Sequence, residues 1–159
     1  MPIDVIAALA GAGANPAIAA AMAGRAELMA ASQANYQAVI APDDPGALSY
    51  AERLALACRI ATLNGDAGLA AHYRAGLGDD LAGIADPAAA APADPRLAAM
   101  LRHVDLVTRR PREATRADIA ALAAAGLATA DIVRLSQVIA FVNYQLRVIA
   151  GLRLIGSAA

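Results

Sequence analysis

Two segments of the chain carry apolar residues around almost the whole circumference of a helix. In the first, residues 49–64, two apolar stripes run side by side, and few polar residues interrupt them. In the second, residues 130–153, apolar residues occupy nearly every face: Ile132, Val133, Leu135, Val138, Ile139, Val142 and Leu146. A helix that is apolar on nearly all sides is buried in a core or in a subunit interface. Because a chain this small offers little interior for two such helices, the pattern predicts a homo-oligomer.

Capping residues, proline and glycine divide the remaining sequence into helices. Four helix starts carry an N-cap followed by proline or by a capping-box acid: Asn15-Pro16, Ser49 to Glu52, Asp94-Pro95 and Thr115 to Asp118. Gly126 is a natural end for one helix, and Thr129 is a candidate cap for the last, with Asp131 in its first turn. The predicted helices lie near 3–10, 16–39, 50–64, 67–77, 95–109, 116–125 and 130–153. The alanine- and proline-rich segment 84–92 is expected to be a loop inside a single domain, 1–159, because each half alone is too small for a strong core.

Composition supports an all-α fold and excludes several classes of function. The chain has 159 residues, of which 59% are hydrophobic and 3% aromatic, and much of the apolar content is alanine, a strong helix former. The single cysteine, Cys58, excludes an intrachain disulfide and a multi-cysteine metal site. A net charge of -1 provides no basic field for nucleic acid or an anionic membrane. All 13 basic residues are arginine, which excludes a lysine Schiff base.

The N-terminal region has an uncharged stretch, residues 5–24, that could be mistaken for a membrane span. Asn15-Pro16 interrupts this stretch, and the first charge is Asp4 rather than a basic cluster. We therefore expect two helices of a cytoplasmic protein here, with neither a signal peptide nor a membrane span.

The order of segments resembles a known family. The sequence from Glu52 to Gly65, ERLALACRIATLNG, followed by Ala70-Ala71-His72-Tyr73, resembles the core of the carboxymuconolactone decarboxylase superfamily, which includes the alkylhydroperoxidase D proteins. The second half, with Phe141-Val142-Asn143-Tyr144 in its last helix, is similar to the longer, peroxidase-related members. The resemblance covers roughly residues 45–155. It implies an alkylhydroperoxidase D-like fold of about six to seven helices, assembled as a homo-oligomer, a trimer or a hexamer.

In redox-active members of that family, two cysteines spaced C-x-x-C begin the helix after the Asn-Gly turn, and a histidine and an upstream glutamate relay protons. In this chain the two cysteine positions hold Asp66 and Leu69, the histidine position holds Tyr73, and the glutamate position falls on Leu54. Asp66 suits an N-cap and Leu69 suits a core position. A two-cysteine peroxidase mechanism is therefore excluded, because the chain has no second thiol to resolve a sulfenic acid.

Several polar residues remain as candidates for a site. His72 is a candidate general acid or base, with Glu52 beside it as a second catalytic candidate, and the alternative for His72 is a histidine hydrogen-bonded between helices. Glu52 and Arg59 are expected to share a helix face and to line a pocket with His72; the alternatives are a cap for Glu52 and an interhelical salt bridge for Arg59. The substrate-binding candidates are Arg59, Asp66, Tyr73 and Asn143, with Tyr36 and Tyr73 as walls of the pocket. No metal and no cofactor are implied.

Two further side chains are expected to have no chemical role. Cys58 lies mid-helix on an apolar stripe and is expected to be a small buried hydrophobe. His103 is adjacent to Arg102 and is expected to be exposed.

Three functions follow from these residues, and they leave open whether the chain is an enzyme. The first is a non-redox binding or partner subunit of the peroxidase-related, antioxidant branch, with a small-molecule ligand and with a redox-competent relative as a candidate partner. The alternative is a cofactor-free lyase or isomerase of the carboxymuconolactone decarboxylase type, with His72 as acid or base and Arg59 binding a substrate carboxylate. The third is a structural oligomerisation module.

Overall fold

The computed structural model describes residues 4–158, and within this range all of the regular secondary structure is helical. Two short 3-10 turns, Asp79–Leu81 and Pro111–Glu113, join the helices. The α-helices of the described residues are α1 (Val5–Ala10), α2 (Pro16–Ala23), α3 (Ala26–Ile40), α4 (Tyr50–Leu63), α5 (Ala67–Arg74), α6 (Ala82–Ala85), α7 (Pro95–Arg109), α8 (Arg116–Ala124) and α9 (Thr129–Ser157). The all-α class predicted from the sequence is confirmed.

The helix starts follow the capping residues. Asn15 Oδ1 accepts a hydrogen bond of 3.0 Å from the Ala17 N–H at the start of α2. At the start of α4, Ser49 and Glu52 form the reciprocal capping box, and the Glu52 carboxylate accepts from the Ser49 N–H at 2.8 Å. Gly126 follows α8 with a positive φ of 93°, a conformation that glycine adopts without steric cost. These local signals explain why most of the predicted boundaries are close to the observed ones.

Three predictions of element boundaries are wrong. The helix predicted at 16–39 is two helices, because the chain leaves the helical conformation at Arg25, where φ is -133°, before α3 begins. The residue before α9 is Ala128 rather than Thr129, which lies within the helix and makes no cap. The segment predicted as a loop from residue 84 begins inside α6, where Ile84 and Ala85 are buried in the core. The first residue of the helix predicted at 3–10 lies outside the described residues.

The last helix is the centre of the fold. At 29 residues, α9 is about 43 Å long, and it packs against α1, α2, α3, α4, α7 and α8. The second central helix is α4, which contacts α5, α6, α7 and α9 and holds fully buried residues such as Ala55, Ala57 and Ile60. Other helices of the same chain therefore cover both apolar helices. Apolar residues on all sides of a helix do not by themselves require an oligomer here. Val133 and Leu154 of α9 remain 52% and 69% exposed.

By length and composition, α9 could also cross a membrane. Its most apolar window has a mean hydropathy of 1.5, and 44% of that window is buried inside the protein. The central helix of a helical bundle has the same length and composition, so this property alone does not indicate a membrane span. Residues 5–24, the uncharged stretch of the sequence, form α1 and α2 on either side of Asn15.

A buried arginine anchors the connection between α3 and α4. Arg53 is 1% exposed, and its guanidinium donates hydrogen bonds to the carbonyl oxygens of Leu48, Val39 and Pro45 at 2.9, 2.7 and 2.8 Å. Burial lowers the pKa of Arg53 from its usual value. The three carbonyls replace the water that the guanidinium loses, and they hold the loop after α3 against the start of α4.

Candidate functional site

The turn between α4 and α5 holds the positions at which the resembled family carries its cysteines. Gly65 has a positive φ of 76°, which lets the chain reverse after α4 and start α5 at once. The Asp66 carboxylate caps α5 by accepting from the Leu69 N–H at 2.9 Å, and its other oxygen pairs with Arg153 of α9 at 2.8 Å. Leu69 is fully buried. The predicted cap and core roles of these two residues are confirmed.

An open cleft of about 460 Å³ lies beside Asp66, between the start of α5 and α9. Arg147 and Arg153 line its α9 side, and Asn64 and Gly65 line the other. Asp66 therefore borders a cleft, as a substrate-binding residue would, but both of its carboxylate oxygens already have partners within the protein.

Cys58 is sealed in the interior, as its position on an apolar stripe predicts. Its exposed fraction is 0%, and its Sγ lies 3.4 Å from the Ala70 carbonyl oxygen, to which it donates a hydrogen bond. Burial raises the pKa of the thiol, while the charge of Arg74 opposes the shift. Since the nucleophile in peroxide reduction is the thiolate, both the burial and the pKa shift disfavour reaction.

His72 belongs to an aromatic cluster between α3, α5 and α9. Its Nε2 lies 3.1 Å from the Tyr36 hydroxyl oxygen, and the Tyr36 ring stacks on Tyr73 with ring centroids 6.4 Å apart. Burial lowers the pKa of His72 and raises the pKa of Tyr36, so neither group favours its charged form here. The histidine is hydrogen-bonded between helices, the alternative that its sequence context left open.

Tyr73 does not face a pocket. Its side chain is 0% exposed, and its hydroxyl donates a hydrogen bond of 2.6 Å to the Gln145 Oε1 atom, which is also buried. Burial, the largest influence, raises the pKa of Tyr73 well above its usual value. The expectation that Tyr73 lines a substrate pocket is therefore wrong, because the position lies inside the core between α5 and α9.

Glu52 and Arg59 share α4 but serve different contacts. Glu52 closes the capping box and pairs with Arg96 at 2.6 Å. Arg59 is 5% exposed, and its Nε and Nη2 groups donate hydrogen bonds of 2.6 and 2.7 Å to the two carboxylate oxygens of Asp105 on α7. Its Nη1 donates to the carbonyl oxygens of Ile84 and Asp86. Four of the five guanidinium N–H groups are thus occupied.

The predicted pocket of Glu52, Arg59 and His72 is not assembled by these contacts. Glu52 contacts Arg96, Arg59 contacts Asp105, and His72 contacts Tyr36 on α3. The lyase hypothesis needs Arg59 for a substrate carboxylate, and the structure assigns that guanidinium to Asp105 and to two backbone carbonyls.

Asn143 lies on α9 facing α7. Its Nδ2 donates to the Ile139 carbonyl at 2.9 Å, so the amide is partly satisfied within its own helix. It lines a cavity of about 250 Å³ together with His103, Thr108 and Ser136. Its Oδ1 accepts hydrogen bonds of 3.4 Å from Asn64, at the end of α4, and from Arg147. Within residues 4–158 no hydrogen bond joins Asn143 to His72, with which the sequence analysis grouped it as a site residue.

His103 is buried, so the expectation that it is exposed is wrong. Its exposed fraction is 6%, and within residues 4–158 its Nδ1 has no hydrogen-bond partner. Burial lowers the pKa of His103, while the charge of Asp118 opposes the shift. The sequence did carry the signal: Met100, His103, Val104 and Val107 follow the i, i+3, i+4, i+7 pattern of a buried helix face.

The sequence analysis also missed Asp105, Arg102 and Arg109 on α7. They line a cleft of about 950 Å³ between α7, the start of α8 and the loop that follows α6. No motif marks them, because single charged residues along a helix are usually solvated.

The comparisons with known proteins assign no family. No protein-family model matches the chain, and no curated protein has a significantly similar sequence.

Proposed function

We propose that this chain is a non-redox protein of the alkylhydroperoxidase D-like type that acts as a binding or partner subunit rather than as a peroxidase. The observation that carries the proposal is the state of the only thiol in the sequence. Cys58 is 0% exposed, and burial raises its pKa. Reduction of a peroxide needs an accessible thiolate and a way to resolve the sulfenic acid that forms, and neither is available to Cys58.

The turn between α4 and α5 supports the same proposal. A thiol at the first turn of α5 would have its pKa lowered by the helix N-terminus. In this protein Asp66 occupies that place as the helix cap and as the partner of Arg153. The local electrostatics that would activate a thiol instead stabilise a structural carboxylate.

Exposed apolar side chains on α9 support assembly as a homo-oligomer. Val133, Leu154 and Ile155 are 52%, 69% and 44% exposed. Side chains of this size gain free energy when a second subunit covers them. Size-exclusion chromatography with light scattering measures the mass of the assembly. A trimer or a hexamer has three or six times the 16.0 kDa mass of the chain, and a monomer would contradict this part of the proposal.

The test of the function is peroxide consumption with a thiol reductant in excess, comparing the wild type with Cys58→Ala. We expect no turnover above the buffer rate in either protein. Ser157→Ala, an equally small substitution at an exposed residue, controls for protein lost during preparation. Robust turnover that disappears in Cys58→Ala but survives in Ser157→Ala would overturn the non-redox assignment.

A further inference from the structure

The cleft between α7, the start of α8 and the loop after α6 has the size of a ligand site. Its volume of about 950 Å³ is roughly twice that of the cleft beside Asp66. Small-molecule sites in proteins are clefts of about 300 to 1,000 Å³ with apolar walls and a few placed polar groups. This cleft fits both parts of that description.

One wall of the cleft is apolar. Leu101 and Leu106 of α7 line it, and Ala89, Ala91 and Pro92 of the loop face them across the opening. Arg59 anchors the start of the loop by donating hydrogen bonds to the backbone carbonyls of Ile84 and Asp86. These hydrogen bonds fix the start of the loop whose later residues line the cleft.

The polar lining carries an excess of positive charge. Four arginines line the cleft, at positions 59, 102, 109 and 110, against two carboxylates, Asp105 and Asp118. Asp105 is paired with Arg59. Asp118 accepts hydrogen bonds from the backbone N–H and the hydroxyl of Thr115, each at 2.8 Å, but these neutral donors leave its negative charge in place. Four arginines against two carboxylates still leave the lining with a net positive charge.

Two of the arginines are not paired. The Arg110 side chain pairs with Glu113 at 2.7 Å, whereas the side chains of Arg102 and Arg109 make no hydrogen bond or ion pair within residues 4–158. They are seven residues apart on α7, so they project from the same helix face two turns apart. Both side chains are exposed, so their N–H groups are free to bind an anion from solution.

From this arrangement we propose that the cleft binds an amphipathic organic anion, with its oxyanion head group on Arg102 and Arg109 and its apolar body against Leu101, Leu106 and Pro92. Guanidinium groups bind carboxylates and phosphates through paired N–H donors, and two of them on one helix face provide one head-group site. The inference specifies the ligand class of the binding role proposed above, and it does not depend on the family resemblance.

The test uses three aromatic probes of equal ring size: 1-naphthoate, 1-naphthyl phosphate and the neutral 1-naphthamide. Titration calorimetry on the wild type is expected to give a dissociation constant below about 1 mM for at least one of the anions, and binding at least tenfold weaker for the amide. The tighter of the two anions identifies the head group. In methyl NMR spectra the signals of Leu101 and Leu106 shift on binding, and that of Leu28 of α3, which does not line the cleft, stays unchanged.

The matched variants are Arg102→Gln/Arg109→Gln and, as a control, Arg25→Gln/Arg112→Gln, which removes two exposed arginines outside the cleft. The first double variant is expected to weaken anion binding at least tenfold, and the control to leave it within twofold. All four side chains are exposed, so both proteins should fold, which circular dichroism verifies.

Three outcomes overturn the inference: no anion bound below about 1 mM, equal affinity for anion and amide, or unchanged affinity in Arg102→Gln/Arg109→Gln. None of these affects the non-redox assignment, which fails only if the wild type turns over peroxide through Cys58.

Discussion

The ion pair between α4 and α7 can be tested by replacing Asp105 with asparagine. Asp105→Asn keeps the shape of the side chain but removes its charge and turns one acceptor oxygen into an N–H₂ donor. That donor would face either the Arg59 Nε–H or its Nη2–H, which now point at carboxylate oxygens 2.6 and 2.7 Å away. Arg59 would keep the remaining amide oxygen and two backbone carbonyls as partners, but no negative charge would offset its buried positive charge.

The expected cost follows from the burial of the pair. Breaking a buried ion pair by removing one partner costs about 3 to 5 kcal/mol, because the remaining charge is left uncompensated. The Arg59 side chain is 7% exposed but that of Asp105 is 35% exposed, so water can replace part of the carboxylate. We therefore expect the low end, a loss of about 3 kcal/mol in the free energy of unfolding, which lowers Tm by roughly 6 to 12 °C in a protein of this size.

The chain offers a matched control in the pair of Arg110 and Glu113. Its N–O distance is 2.7 Å, close to that of the buried pair, but the two side chains are 64% and 56% exposed. Exposed pairs contribute about 0 to 1 kcal/mol, so Glu113→Gln should change the stability by about 0.5 kcal/mol or less. Urea unfolding followed by circular dichroism, at one fixed protein concentration, measures both variants. If Asp105→Asn costs no more than Glu113→Gln, the reasoning from burial is wrong.

Three further predictions follow from other contacts. Gly156→Ala should destabilise the protein by about 1 to 3 kcal/mol in urea unfolding, because the added Cβ would lie 2.7 Å from the Ile18 Cδ1. Gly151→Ala, whose Cβ would have nothing within 4 Å, should be neutral or stabilising, and equal effects of the two variants would refute the α2–α9 contact. A thiol reagent should label Cys58 only in denaturant, and stoichiometric labelling of the native protein would contradict its burial. Burial lowers the pKa of His103, so the unfolded chain binds a proton at this histidine more readily than the folded protein, and the free energy of unfolding should fall as the pH drops below 6.5. His103→Leu should reduce the dependence of the free energy of unfolding on pH between about pH 8 and pH 5. An unchanged dependence would show that other groups cause it.

The candidate site could be predicted only where the signal was local. Asp66 as a cap, Leu69 as a core residue and Cys58 as a buried thiol follow from each residue's own position on a helix. Tyr73 and His103 were misjudged, because whether a helical face is covered depends on which other helix packs there. The tyrosine next to His72 was expected at a pocket, yet α9 covers it completely.

The sequence by itself determined that the protein is helical and where most helices begin, because capping, proline, glycine and apolar periodicity act over a few neighbouring residues. It also excluded two-cysteine chemistry, because only one cysteine is present. Only the tertiary structure decided the partners of the charged residues: Arg59 meets Asp105 across 46 positions of sequence, and Arg153 meets Asp66 across 87. Such pairs depend on how two helices are rotated and spaced relative to one another. That geometry is set by the packing of the whole core and leaves no mark in the residues on either side.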